Sequence, residues 1–144
     1  MEVKILKKNS FKMPEYKTEG SSGIDLRCNS EDSIELIPLE RKLIPTGIFM
    51  EIPIGYEAQV RARSGLAIKN GISLVNGIGT IDSDYRGEIK VILINLSKEI
   101  FKINPGDRIA QVVFQKIERA NIVKVEEINK TERGTGGFGH TGIK

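Results

Sequence analysis

Short alternating or β-branched runs, each cut off by a turn signal, fill almost the whole chain and leave little room for helix. They are Val3 to Leu6, Ile34 to Ile37, Thr46 to Ile52, Tyr56 to Ala62, Ile72 to Val75, Gly87 to Ile94, Arg108 to Phe114 and Ile122 to Glu126. Ile54-Gly55, Asn70-Gly71, Asn76-Gly77 and Asn104-Pro105-Gly106 punctuate them, and Pro38, Pro45 and Pro53 mark further boundaries. Turns at such short spacing link strands into hairpins and meanders. One short helix is expected, from about Ser64 to Lys69, closed by Asn70-Gly71. The pattern predicts an all-β sandwich, jelly roll or barrel.

A chain of 144 residues, 39% hydrophobic and 28% charged, has the size and composition of one soluble globular domain. Its net charge of +3 comes from lysines and arginines scattered along the sequence. That suits a small anionic ligand and is too diffuse for a nucleic-acid surface, so no nucleic-acid partner is expected. Cys28 is the single cysteine, which excludes an internal disulfide, and no Cys/His cluster offers a structural metal site. No apolar run is long enough to span a bilayer and none leads the chain after Met1, so no membrane partner and a cytoplasmic location are expected.

The tail from Glu132 to Ile143 holds five glycines, Arg133, Phe138 and the chain's only histidine, His140. Glycine-rich backbone does not order easily by itself, so a frayed tail is one reading. The other is a lid: adjacent glycine amides can wrap an anion, Arg133 supplies charge and Phe138 a flat apolar face.

Four further segments break the strand pattern. In Ser21-Ser22-Gly23-Ile24-Asp25-Leu26, strand geometry points Asp25 away from its apolar neighbours. In Arg61-Ala62-Arg63-Ser64-Gly65-Leu66, Ser64 and Gly65 open the expected helix, where free amides and the helix dipole favour phosphate; taken alone, Ser64 reads first as an ordinary N-cap. From Asn76 to Gly87, glycines flanking Ile78 suggest a tight hairpin whose backbone, with the Asn76 amide, can approach a flat ligand such as a nucleobase. Asp82 and Asp84 share a strand face there, and either carboxylate could act as general base on water. In Pro105 to Val112, Gln111 falls among apolar residues and needs hydrogen-bond partners if buried.

In this order the segments SSGIDL (21–26), RARSGLA (61–67), NGIGTIDSDYRGEI (76–89), GDRIAQ (106–111) and RGTGGFGHTG (133–142) resemble the five motifs of the all-β, homotrimeric deoxyuridine triphosphate nucleotidohydrolases, or dUTPases. The third and fifth are the most specific. The resemblance implies a distorted jelly-roll barrel over residues 1–130 and a C-terminal Gly-rich lid over 131–144. It implies hydrolysis of dUTP to dUMP and pyrophosphate, which limits uracil in DNA and supplies dUMP for thymidylate synthesis.

By that resemblance Asp82 activates the water that attacks the α-phosphorus, and Asp84 forms a supporting ion pair. Tyr85 packs under the deoxyribose and leaves no room for a 2′-hydroxyl. Asn76 and the main chain of Gly79, Thr80 and Ile81 read uracil, with Lys90 beside the substrate. Arg63, Ser64, Gly65 and Gln111 hold phosphates, and Asp25 holds waters of a triphosphate-bound Mg²⁺. In the lid, Phe138 stacks on uracil, Arg133 and the glycine amides including Gly137 wrap the phosphates, and Thr141 reaches the terminal one. Sites are shared between subunits of a homotrimer.

Three departures stand out. Ala62 occupies a position that is often proline in the family, and His140 one that is usually Ser or Thr. The imidazole can still donate to the terminal phosphate, more strongly when protonated. No proline lies between Gln115 and Arg133 to hinge an exchanged arm. Two other readings are a deoxycytidine triphosphate deaminase, disfavoured by the intact IDSDYRG, and a dUTP-sensing regulator, disfavoured by Asp82 together with a full lid.

Overall fold

The computed structural model describes residues 1–138. Its strands are β1 (Lys4–Lys7), β2 (Ile24–Arg27), β3 (Ile34–Leu36), β4 (Arg41–Glu51), β5 (Tyr56–Arg61), β6 (Ile72–Leu74), β7 (Ile78–Ile81), β8 (Ile89–Asn95), β9 (Phe101–Ile103) and β10 (Arg108–Lys116). One helix, α1 (Ser64–Asn70), lies between β5 and β6. Two four-stranded sheets, β1-β4-β8-β6 and β2-β10-β5-β7, are joined by the two-stranded β3-β9 sheet. The pairings are antiparallel.

Period-two alternation builds the interior. Ile89, Val91 and Leu93 of β8 point inward while Lys90, Ile92 and Ile94 point out. The same rule buries Ile24 and Leu26 of β2 and turns Asp25 and Arg27 outward. Both four-stranded sheets contribute to one core, with Leu26, Ile44 and Ala58 wholly buried. Full burial of each large aliphatic side chain stabilises the fold by about 1.5–3 kcal/mol.

Two polar residues sit in this core, and both are satisfied. Asn95 Nδ2 donates to the carbonyls of Leu36 and Glu99, and Oδ1 accepts from Ser97 N at 2.9 Å. Thr46 Oγ1 donates to Ile89 O and accepts from Ile48 N.

The expected strand from Thr46 begins earlier, at Arg41, with Pro45 inside it. The proline is tolerated because β4 bulges there: Pro45 pairs with Lys90, but Ile48 pairs with Ile89. Gly47, in the bulge, has φ +66°, and a Cβ on it would stand 2.8 Å from Asn29 Nδ2.

The helix is close to expectation. Gly71 caps it with φ 65°, donating to the carbonyls of Ala67 and Leu66. Ser64 is the first helical residue and not the N-cap; Arg63 takes that place in an extended conformation, without a side-chain capping bond.

Three other features differ from expectation. The strands form three separate sheets, and among the described residues they close no barrel, so the fold is all-β and jelly-roll-like. The β9 strand has no long alternating run to announce it, and it forms through pairing with β3. Ile122 to Glu126, expected as a strand, is unpaired and exposed. No regular element follows Lys116 within the described residues. No helix among them is long and apolar enough to cross a membrane.

Candidate active site

The β2-β10-β5-β7 sheet aligns Asp25, Gln111, Arg61 and Ile78 in one row across its strands. Directly opposed residues share a face, so Asp25, Gln111 and Arg61 stand together on the outer side. Their neighbours Ile24, Val60 and Val112 fill the core behind them. The core thereby fixes the spacing of the polar row.

Asp25 is the hub of that row. Its Oδ1 lies 3.1 Å from Arg63 Nε and its Oδ2 3.1 Å from Arg108 Nη1. Arg63 Nη1 donates to the Arg108 carbonyl at 2.9 Å, and Gln111 Nε2 to the Ala62 carbonyl at 3.1 Å. Gly23 lies so close to Gln111 that a Cβ would stand 2.6 Å from Oε1. Arg63, Leu66 and Arg108 border a hollow of about 270 Å³, floored by Phe101 and Ile103. Ser64 and Gly65 begin α1 beside Arg63 and are exposed, with open space around Gly65.

The third segment builds a different cavity, of about 310 Å³. Asn76, Gly79, Thr80, Ile81 and Asp82 line it together with Tyr85 and Lys90. Val60, Leu74 and Ile92 supply an apolar floor. A few polar groups over an apolar base is the usual make-up of a small-molecule site. A Cβ on Gly79 would stand 3.1 Å from Asn76 Nδ2 and 3.3 Å from Val60 Cβ, so glycine keeps the hairpin close to its neighbours.

Asp82 and Asp84, equivalent by spacing, separate here. Asp82 lines the 310 Å³ cavity; Asp84 lines a neighbouring hollow of about 300 Å³, which Asp82 also borders, with Tyr56 and Arg119. Tyr85 N donates to the Asp82 carbonyl at 3.1 Å, closing the turn between them.

The two clusters do not meet within one chain. Asp25 is level with Ile78, whereas Asp82 lies past the other end of β7. Three strand spacings and the length of β7 separate Asp25 from Asp82, roughly 20 Å. One triphosphate cannot bridge that gap.

Nor does the described part of the tail, up to Phe138, join either cluster. Arg133 Nε donates to the Gly136 carbonyl at 2.9 Å, and Phe138 is fully exposed, with φ 50°. Arg133, Gly137 and Phe138 are not among the residues lining the cavity. His140 and Thr141 lie outside the described residues.

Sequence reasoning passed over Arg108 and Glu88. Glu88 lines the cavity, holds Lys90 Nζ at 3.7 Å and accepts from Thr46 N and Gly47 N at 3.1 and 2.8 Å. Its partners lie in the β4 bulge, which no local pattern announces. Arg108 sits inside the fourth segment; the β2-β10 register sets it opposite Arg27, and its side chain reaches along the same face to Asp25.

Among the described residues no three His, Cys, Asp or Glu side chains gather around a metal position. Asp25 is ion-paired to both arginines, and Asp107 lines the hollow that those arginines border; a carboxylate with about four acceptor sites keeps room for water. That donor set fits a Mg²⁺ ion held through water and liganded mainly by phosphate.

A family model described as dUTPase matches residues 9–142. This chain belongs to the dUTPase family. A deoxyuridine 5'-triphosphate nucleotidohydrolase of Finegoldia magna is 57% identical over 142 residues, 99% of each chain. One from Chlamydia pneumoniae is 60% identical over 131 residues, 90% of each. The solved dUTPase of Staphylococcus bacteriophage 80alpha with dUPNHPP is 25% identical, with a TM-score of 0.83 over 99% of each chain. The sequence resemblance is thus borne out, and the chain is an all-β enzyme of the dUTPase family.

Proposed function

We propose that this chain hydrolyses dUTP to dUMP and pyrophosphate, with Asp82 as the general base. The observation that carries the assignment is that Asp82, and not Asp84, lines the cavity with Asn76, Gly79 and Tyr85. The Asn76 amide and the backbone of Gly79, Thr80 and Ile81 give donors and acceptors for the uracil edge. A 5-methyl group on the base would meet the close hairpin and be rejected. Tyr85 lies under the deoxyribose and Lys90 beside the substrate. Asp82 accepts the proton of the water that attacks the α-phosphorus, and the bond to the bridging oxygen breaks to release pyrophosphate. Positioning and charge stabilisation carry the rate, without a covalent intermediate.

Arg63, Gln111 and the amides of Ser64 and Gly65 hold the phosphates. Arg63 and Arg108 are pre-aligned by Asp25, so their donors are already ordered when a polyanion arrives. Mg²⁺ bound to the triphosphate would neutralise part of its charge, with Asp25 holding the ion's waters.

The separation of Asp82 from Asp25 supports a homotrimer in which one chain supplies the base-binding cavity and a neighbour supplies the phosphate row. The exposed apolar side chains of Ile122, Val123, Val125 and Ile128 suit burial against another copy. Residues 131–144 form a lid: Phe138 covers the base, Arg133 and Gly137 reach phosphates, and His140 and Thr141 meet the terminal one.

Pyrophosphate release from dUTP, dTTP, dCTP and UTP, with and without Mg²⁺, tests the reading. Rapid release from dUTP alone, dependent on Mg²⁺, is expected. Ammonia release from dCTP would identify a deaminase, and binding without turnover a sensor.

A further inference from the structure

Tyr85 is folded back onto its own segment. Its ring lies over Gly87, where a Cβ would stand 2.5 Å from Cζ and 2.9 Å from Cε2. Its hydroxyl donates to the Glu88 carbonyl at 3.0 Å. Any side chain at position 87 must therefore displace the ring. The glycine lacks the left-handed φ that would explain it as a turn residue.

Glu88 is itself anchored. Its Oε1 accepts from Thr46 N at 3.1 Å and Gly47 N at 2.8 Å, two amides that the β4 bulge leaves without ladder partners. The bulge is held in turn by Lys8 N on the Gly47 carbonyl and Asn9 Nδ2 on the Thr46 carbonyl, both at 2.7 Å. An unbroken set of contacts runs from the bulge through Glu88 to the Tyr85 hydroxyl, and Lys90 Nζ lies beside the same carboxylate.

We infer that Gly87 and Glu88 are positioning residues that set the Tyr85 ring, and through it the preference for a 2′-deoxy sugar. Gly87 gives the ring its seat, and Glu88 fixes that seat to the β4 bulge. The sugar preference rests on the proposed placement of deoxyribose against Tyr85; the seat itself does not.

The test compares Gly87→Ala, Glu88→Ala and Glu88→Gln in the full chain. It measures kcat and KM for dUTP and UTP, the melting temperature, and the aromatic NMR resonances of Tyr85, assigned with Tyr85→Phe. Gly87→Ala should shift the Tyr85 resonances and lower the dUTP-over-UTP ratio of kcat/KM by about tenfold or more, with the fold retained. Displacing the far end of one side chain leaves the core untouched. Glu88→Ala should lower the ratio in the same direction and speed amide exchange at Thr46 and Gly47. Glu88→Gln, which keeps an accepting oxygen, should restore both.

Unchanged Tyr85 resonances in Gly87→Ala would overturn the seat. Shifted resonances with a wild-type ratio would overturn its role in sugar selection. A fall in melting temperature alone, with the ratio unchanged in all three variants, would leave Gly87 and Glu88 merely structural and defeat the inference. Failure of the wild-type chain to prefer dUTP would instead sink the proposed activity, while the resonances still decide the seat.

Discussion

Arg63, just past the end of β5, meets Asp25 of β2 at 3.1 Å, although β10 lies between those two strands. Arg108 reaches the same carboxylate from β10. Three segments distant in sequence are thereby locked into one charged group. The side chains are 21–44% exposed, so solvent screens the pairing. Its main effect is on where the arginines point.

Asp25→Asn therefore separates geometry from stability. It should cost no more than about 1 kcal/mol of folding free energy, as partly exposed ion pairs do. Turnover of dUTP should fall clearly and its Mg²⁺ dependence should flatten. Thermal melting and a Mg²⁺ titration of pyrophosphate release check the two halves of the prediction.

Asp82→Asn removes the proposed base and keeps the shape of the cavity. Turnover should fall by a factor of ~10²–10⁴ while dUTP still binds, a loss typical of a missing general base. Calorimetric binding beside single-turnover kinetics measures both, and near-normal turnover would remove Asp82 from its role.

Mixing is more informative than either variant alone. Subunits carrying Asp82→Asn, unfolded and refolded together with subunits carrying Asp25→Asn, should regain part of the wild-type activity. Some pockets then combine an intact cavity with an intact phosphate row. Absence of recovery in verified mixed oligomers would argue that each site is built within one chain.

Truncation after Lys130 should remove most activity and leave the fold intact, because the last strand ends at Lys116. Circular dichroism and melting report the fold. Unfolding of the shortened chain would make the tail structural.

Glu40 gives a pH dependence with a defined sign. A hydrogen bond from the Ile37 amide, and secondarily the Lys42 ammonium, holds its pKa below the ordinary 4.5. The contribution is present above the unfolded-state value and is lost as pH falls through the lower folded value. Glu40→Gln should accordingly narrow the stability gap between neutral and acidic solution, as read by denaturant titration at each pH.

Much of this fold was legible because strand alternation and turn dipeptides are local signals. The runs at Tyr56 to Ala62 and Arg108 to Phe114 became β5 and β10 within a few residues. The Asn70-Gly71 stop closed α1 where expected. Pro45 misled, because only the partner strand reveals that a bulge accommodates it. Ile122 to Glu126 misled for a related reason: alternation marks a strand that wants a partner, and the described residues of one chain provide none. At the site, period-two reasoning turned Asp25 outward correctly, but it left Asp82 and Asp84 equivalent; the turn closed by Tyr85 N on the Asp82 carbonyl separates them. Glu88 stayed hidden because its partners, Thr46 and Gly47, lie far away in sequence.

The unpaired run from Ile122 to Ile128 also bears on how long a solitary chain survives. It is open to solvent, holds the cleavable Lys124 and is flanked by the exposed Arg119 and Lys130. A protease needs such unstructured backbone and finds none of it in the paired sheets. If copies pair through this segment as proposed, an unassembled copy carries its own point of proteolytic attack, and assembly removes it.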